Sequence, residues 1–202
     1  METIERTINA LRKNGFLAEY VDSREELLSI LSRQIPKKSW VASGSSQTLE
    51  QLGIKTWLDQ ENFYYSDCGD GAADRRQNIL NSFRSDYYLS SVAAVTEQGE
   101  LFLVDGTGNR TAAFSYGPRR VIVIASVKKI VPNMTEARRR LKTIAAPLCA
   151  ARRKKYELPC YKKGFCMDCH LERRMCCYYL TVGYVREKER FSVYLINEDV
   201  GF

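Results

Sequence analysis

The chain predicts an α/β fold: one domain over residues 1–202, with a mostly parallel sheet, helices on both of its faces and a cysteine-rich loop at 154–177. Three observations carry that prediction. Segments with apolar residues at helical spacing alternate with short apolar runs. The runs at 92–95, 101–104 and 121–125 are apolar at consecutive positions, which is the pattern of strands buried on both faces in a central sheet. And 202 residues, 45% hydrophobic and 27% charged, suffice for one sizeable core.

In chain order, Ile4, Ile8 and Leu11 fall at helical spacing and Gly15 stands as a C-cap. Residues 16–21 read as a strand. Ser23 with Glu26 forms a capping-box pattern, and the helix it opens ends before Pro36. A short strand at 40–42 runs into Ser43-Gly44-Ser45-Ser46, followed by a short helix from Thr48. Residues 61–71 are turn-rich, and 72–88 read as a helix with Ile79, Leu80 and Phe83 on one side. The stretch 92–110 reads strand, turn, strand and Gly-rich loop, and 121–125 is the clearest strand. Helical spacing resumes at 135–148 with Pro147 as a kink. Residues 178–185 and 191–196 read as a C-terminal hairpin around a charged turn.

No apolar run approaches the roughly 18 to 20 residues that cross a bilayer. The polar, acidic opening Met1-Glu2-Thr3-Ile4-Glu5-Arg6 resembles neither a signal nor a transit peptide, so a cytoplasmic location is expected. In that setting the seven cysteines are expected to be thiols or metal ligands rather than disulfides. The net charge of +7 is localised: twelve Lys and Arg against three acids lie between Arg138 and Arg174, a surplus of nine that leaves −2 for the rest. Such a segment is either a solvated basic face or a surface for an anionic partner, whether a phosphate-bearing ligand, an acidic protein or nucleic acid. No nucleic-acid-binding motif accompanies it.

Four places could carry chemistry. The loop Gly44-Ser45-Ser46 between strand and helix exposes backbone N–H groups that suit an anion, though it lacks the spacing of a Walker or dinucleotide loop. Glu97, on the turn between two rigid strands, is a candidate catalytic carboxylate, and Gly99 would let that turn approach a ligand or take positive φ. Gly108, Asn109 and Arg110 form a loop in which Arg could capture a carboxylate or phosphate bidentately, or pair with Asp105 and brace the loop. The spacing Cys160-x5-Cys166-x2-Cys169-x6-Cys176 supplies four thiolates, enough for tetrahedral zinc or an iron–sulfur cluster, the alternative being reduced thiols or an oxidised pair. His170, the only histidine, follows Cys169 in a basic loop, which sets aside histidine-based triads.

The sequence resembles the LUD (lactate utilization) domain proteins through Gly44-Ser45-Ser46-Gln47-Thr48-Leu49, Thr96-Glu97-Gln98-Gly99, Asp105-Gly106-Thr107-Gly108-Asn109-Arg110, Tyr116-Gly117-Pro118, Lys129-Ile130-Val131, Ala145-Ala146-Pro147, the four spaced cysteines and Glu198-Asp199-Val200-Gly201-Phe202. The resemblance implies the fold shared by coenzyme A transferases and ribose-5-phosphate isomerase. It also implies a part in oxidising lactate or a related 2-hydroxy acid to the keto acid beside an iron–sulfur or other redox partner. Glu97-Gln98-Gly99 is similar to the Glu-x-Gly segment with which coenzyme A transferases attack a thioester. The chain departs from the family at Ser91, where Gly is usual, and at Ala93, Lys128 and Cys149, where Asn is usual. A second reading makes it a non-catalytic, metal-stabilised binding module for an acidic protein or nucleic acid.

Overall fold

A computed structural model describes residues 1–69, 73–153 and 157–202. The central sheet has six strands: β1 (Leu17–Val21), β2 (Trp40–Ser43), β3 (Tyr64–Asp67), β4 (Tyr87–Ser90), β7 (Arg120–Ser126) and β10 (Phe191–Ile196). Their order is β1-β10-β7-β4-β2-β3, and every pair is parallel.

Strand periodicity explains the unbroken apolar run in β7. Val121, Val123 and Ala125 enter one core with Ile8 and Leu11 of helix α1 (Glu2–Lys13) and with Ala113 and Phe114 of α6 (Asn109–Ser115). Ile122 and Ile124 enter the opposite core, with Leu27 and Leu31 of α2 (Arg24–Gln34), Leu49 of α3 (Gln47–Gln51) and Leu58 of α4 (Ile54–Gln60). Successive side chains of a strand point to opposite faces, so a sheet covered on both sides needs apolar residues at every position.

A second sheet of four strands has the order β8 (Ile130–Val131), β5 (Ala94–Thr96), β6 (Leu101–Asp105), β9 (Tyr178–Val182). The runs predicted as central strands, 92–95 and 101–104, lie here as an antiparallel pair. They are nonetheless buried on both faces. Val95, Leu101 and Leu103 face the core shared with α1, while Ala94 and Phe102 face Ala137 of α7 (Met134–Arg140) and Leu141. Consecutive apolar residues report two covered faces, and they do not say which sheet supplies them.

Two other expectations are corrected. The C-terminal hairpin does not form: β9 pairs antiparallel with β6, whereas β10 lies between β1 and β7 in the central sheet. Every residue of β10 is buried and β9 is largely exposed, so the two strands need different surroundings. The helix predicted over 72–88 is α5 (Arg75–Ser82) alone, and Tyr87–Ser90 is the buried strand β4. Helical spacing at Ile79 and Phe83 masked the change, and Leu80, counted with them, is exposed. Residues 70–72, where those turn and helix expectations meet, lie outside the described residues, as do 154–156 at the start of the cysteine-rich segment.

The kink expected at Pro147 takes a definite form. A π-helical turn (Leu141–Ala145) precedes α8 (Ala146–Arg152), and Pro147 sits in the first turn of that new helix, where its missing N–H costs little. Among the described residues, no helix is long and apolar enough to cross a membrane.

Candidate anion-binding site

The carboxyl ends of β2, β4 and β7 open on a cavity of about 600 Å³. Crevices at this end of parallel strands are the usual ligand position in open α/β sheets. Ser45, Ser46 and Thr48 follow β2, Ser91 and Ala93 follow β4, and Lys129 follows β7; Asp105, Asn109 and Arg110 enter from the small sheet, and Cys149, Cys176 and Cys177 close a further wall.

Lys129 is the most unusual of these residues. It is only 2% exposed. Its ammonium donates to Thr48 Oγ1 at 2.9 Å, Ser91 Oγ at 3.1 Å and the Val92 carbonyl at 3.2 Å, all of them uncharged oxygens. Burial, and then the nearby Arg140 and Arg110 guanidinium groups, push its pKa down from 10.5 to about 7. Gly201 packs directly over this group: a Cβ there would collide with Thr48 Oγ1 and lie 2.7 Å from the Lys129 amine, and its φ of +70° also favours glycine.

Arg110 is held from both ends. Its guanidinium donates to the Val104 carbonyl at 2.6 Å and approaches Asp105 Oδ1 at 3.4 Å. The Asp105 carboxylate, 5% exposed, also accepts from the backbone N–H of Gly106 and Arg110, each at 2.8 Å. The carboxylate thereby caps the first turn of α6, which begins at Asn109 once Gly108 has turned the chain at φ +83°. Gly44 makes room for this arrangement, since a Cβ there would lie 2.9 Å from Arg110 Cδ. The bracing role and the cavity position of Arg110 thus coexist. The Asn109 side chain accepts a bond from Thr107 at 2.6 Å.

Glu97 stands elsewhere. Its turn joins the ends of β5 and β6 away from Asp105, its side chain is 22% exposed, and its carboxylate accepts from Arg6 Nη2 of α1 at 2.7 Å. Gly99 has φ +78°, and a Cβ there would meet the α1 backbone, 2.5 Å from the Leu11 nitrogen. Its close approach is to a helix. Neither residue lines the cavity.

All seven cysteines are unbridged. Cys160, in the short helix α9 (Pro159–Lys163), is buried, and burial followed by the neighbouring Cys166 and Cys169 thiols raises its pKa. Burial, with Cys166, Cys149 and Cys160 nearby, pushes Cys176 up to about 12. Arg174 links the carbonyls of Cys169 and Cys176 by donating to both at 2.8 Å. Among the described residues, no three Cys, His, Asp or Glu side chains converge closely enough to hold an ion as they stand. The four spaced thiols nevertheless share one neighbourhood, and their chemistry suits a soft ion. Much of the surrounding basic charge is spent internally: Arg152 pairs with Glu50, Arg139 with Glu136, Lys142 with Asp168 and Arg140 with the Ala93 carbonyl.

Lys129, Thr48 and Ser91 went unrecognised as site residues in the sequence. The available signal was position, because Lys129 follows the clearest strand at its carboxyl end. Read locally, Lys128-Lys129 is an ordinary solvated basic pair, and Lys128 does pair with Asp199 at the surface.

Comparison with solved structures finds the same fold in a DUF162 family protein from Deinococcus radiodurans, at 14% identity over 96% of each chain with a TM-score of 0.57. Part of eIF2B beta from Chaetomium thermophilum aligns at 16% identity over 55% of this chain and 39% of that one, with a TM-score of 0.40, too slight a likeness to build on. No curated protein matches. The sequence model of the LUD domain matches residues 4–196, nearly the whole chain, and the protein belongs to the LUD domain family.

Proposed function

We propose that this protein binds a small carboxylate of the 2-hydroxy or 2-oxo acid class in the cavity, as a component of lactate or related 2-hydroxy-acid oxidation. LUD domains are associated with lactate utilization. The observation that carries the ligand class is the Lys129 ammonium, buried against three uncharged oxygens. A buried charge is stable only when paired, and an entering carboxylate supplies a partner that the described residues do not. Arg110 provides a second cation in the cavity wall, and Asn109, Ser45 and Ser46 provide donors and acceptors for a hydroxyl or carbonyl. Glu97, held by Arg6, joins α1 to the β5–β6 turn.

Isothermal titration with L-lactate, pyruvate and acetate tests this reading. The three-carbon acids should bind more tightly than acetate, and Arg110→Ala should weaken them by about tenfold, the cost of one charge-assisted contact. Equal affinity for all three acids, or none for any, would refute it.

We propose further that Cys160, Cys166, Cys169 and Cys176 hold an iron–sulfur cluster or a zinc ion. A cluster would supply one-electron chemistry for exchange with a redox partner protein. Cys176 also lines the acid's cavity, and the Cys177 N–H donates to the Asp105 carbonyl at 2.9 Å, which ties the two regions together. Iron, sulfide and zinc analysis of anaerobically purified protein decides the question: iron with sulfide supports electron transfer, zinc supports a structural staple, and neither refutes the site.

A further inference from the structure

We propose that the Lys129 amine forms a reversible imine with the carbonyl carbon of a 2-oxo acid seated in the cavity. The inference rests on the cavity being an acid site and adds covalent chemistry to it.

The geometry assembles what an imine needs. Lys129 is the single lysine among the described cavity residues, and its nitrogen lies between two hydroxyl groups of residues that line the same cavity. Thr48 Oγ1 and Ser91 Oγ also hydrogen-bond each other at 3.2 Å. Hydroxyl groups can donate as well as accept. When Lys129 is an ammonium they accept its protons; when it is an amine, one of them can turn and donate to the lone pair. The nitrogen therefore finds partners in both protonation states, and among the described residues no carboxylate pairs with it to hold the proton in place. Desolvation works the same way, since burial pushes the amine's pKa down from 10.5 to about 7 and so favours the unprotonated form. An ordinary lysine has a free-amine fraction about three orders of magnitude smaller.

The step balances without oxidant or reductant. The neutral Lys129 nitrogen gives its lone pair to the carbonyl carbon, the C=O π pair moves to oxygen, and that oxygen takes up the proton released by nitrogen through the Thr48 and Ser91 hydroxyls. The carbinolamine then loses its hydroxyl as water, the departing oxygen taking up the remaining nitrogen proton through the same hydroxyl groups, while the nitrogen lone pair forms the C=N bond. Water is the only leaving group, and hydrolysis restores amine and acid. Arg110, which lines the same cavity, takes over the acid's carboxylate once Lys129 has given up its proton.

Full-length protein would be incubated with pyruvate and sodium cyanoborohydride at neutral pH, then digested and mapped by mass spectrometry. The expected product is N-(1-carboxyethyl)-lysine at Lys129, formed about tenfold or more faster than at any other lysine, lost in Lys129→Arg and suppressed by excess L-lactate, which has no keto group. Calorimetry on the same preparation separates the failures. Pyruvate binding without an adduct at Lys129, or labelling spread evenly over the surface lysines, overturns the imine and leaves the acid site standing. Absence of both binding and adduct overturns the two together.

Discussion

Replacing Lys129 by methionine should make the protein more stable at neutral and acidic pH, although it removes three hydrogen bonds. The folded pKa of Lys129 lies near 7, below the 10.5 of the unfolded chain. Between those values the unfolded state carries a proton that the folded state has released, so this group makes stability rise with pH across that window. Below about pH 7 its full cost applies. That cost is about 5 kcal/mol at about 1.4 kcal/mol per pKa unit. Against it stand the bonds to Thr48, Ser91 and the Val92 carbonyl, of which the two hydroxyls can still satisfy each other through their own contact. Methionine fills a similar volume without charge. The net gain at pH 6 should be about 2 kcal/mol, and it should shrink by about 3 kcal/mol by pH 9 as the wild-type amine loses its penalty, reversing the order of the two proteins. Urea unfolding of both at pH 6, 7.5 and 9 measures the difference, and taking the difference cancels every group they share. A stability difference that stays flat over this range, or a mutant less stable at pH 6 than at pH 9 relative to wild type, would refute the argument.

Four further outcomes are expected. Binding of L-lactate, which forms no imine, raises the Lys129 pKa by pairing its charge, so calorimetry at pH 7 in buffers of different ionisation enthalpy should show net proton uptake, falling towards zero at pH 5.5, with affinity declining above pH 7. Ser91→Gly removes one acceptor from the ammonium and should move the midpoint of that decline down by about one pH unit, since a hydrogen bond to a charged group is worth about 1.5 kcal/mol or more. Asp105→Ala strips the cap from α6 and leaves Arg110 without its carboxylate; chemical denaturation should report a loss of about 3 kcal/mol, and calorimetry a weaker acid site. Glu97→Gln breaks a partly exposed pair with Arg6 and should cost no more than about 1 kcal/mol while leaving acid binding intact, and lost binding in a folded variant would place Glu97 in the site after all.

The central sheet was legible because burial on both faces leaves a mark in consecutive residues, as at Val121, Ile122, Val123, Ile124 and Ala125. Pairing was not, because pairing partners are distant in sequence. Phe191–Ile196 and Tyr178–Val182 are near in sequence and look like hairpin arms, yet the first is buried throughout and inserts between β1 and β7. Hydrophobic content told these two strands apart better than proximity did. Local turn chemistry was readable at Ser23, which accepts from Glu26, and at Gly108, which turns the chain into α6. The cavity was half legible. Asn109 and Arg110 stand in a motif that suggests a ligand, whereas Lys129 acquires its character only when folding places Thr48, Ser91 and Arg140 around it.

The departures from the family's usual residues acquire a location. Ser91, Ala93 and Cys149 all line the cavity, while Lys128 sits beside Lys129 at the surface. The residues that build the frame are retained: Gly44 beneath Arg110, Asp105 at the start of α6, and Gly201 over Lys129. A hydroxyl at 91 gives Lys129 an acceptor that glycine lacks, and a methyl at 93 and a thiol at 149 replace amide groups with smaller, less polar ones. The result is a cavity with fewer neutral hydrogen-bonding groups in a strongly cationic wall, where Arg75, Arg152, Arg153, Arg173 and Arg174 stand beside Arg110 and Lys129. Its selectivity therefore depends more on the charge of this cationic wall than on amide contacts, which favours compact carboxylates over larger polar ligands.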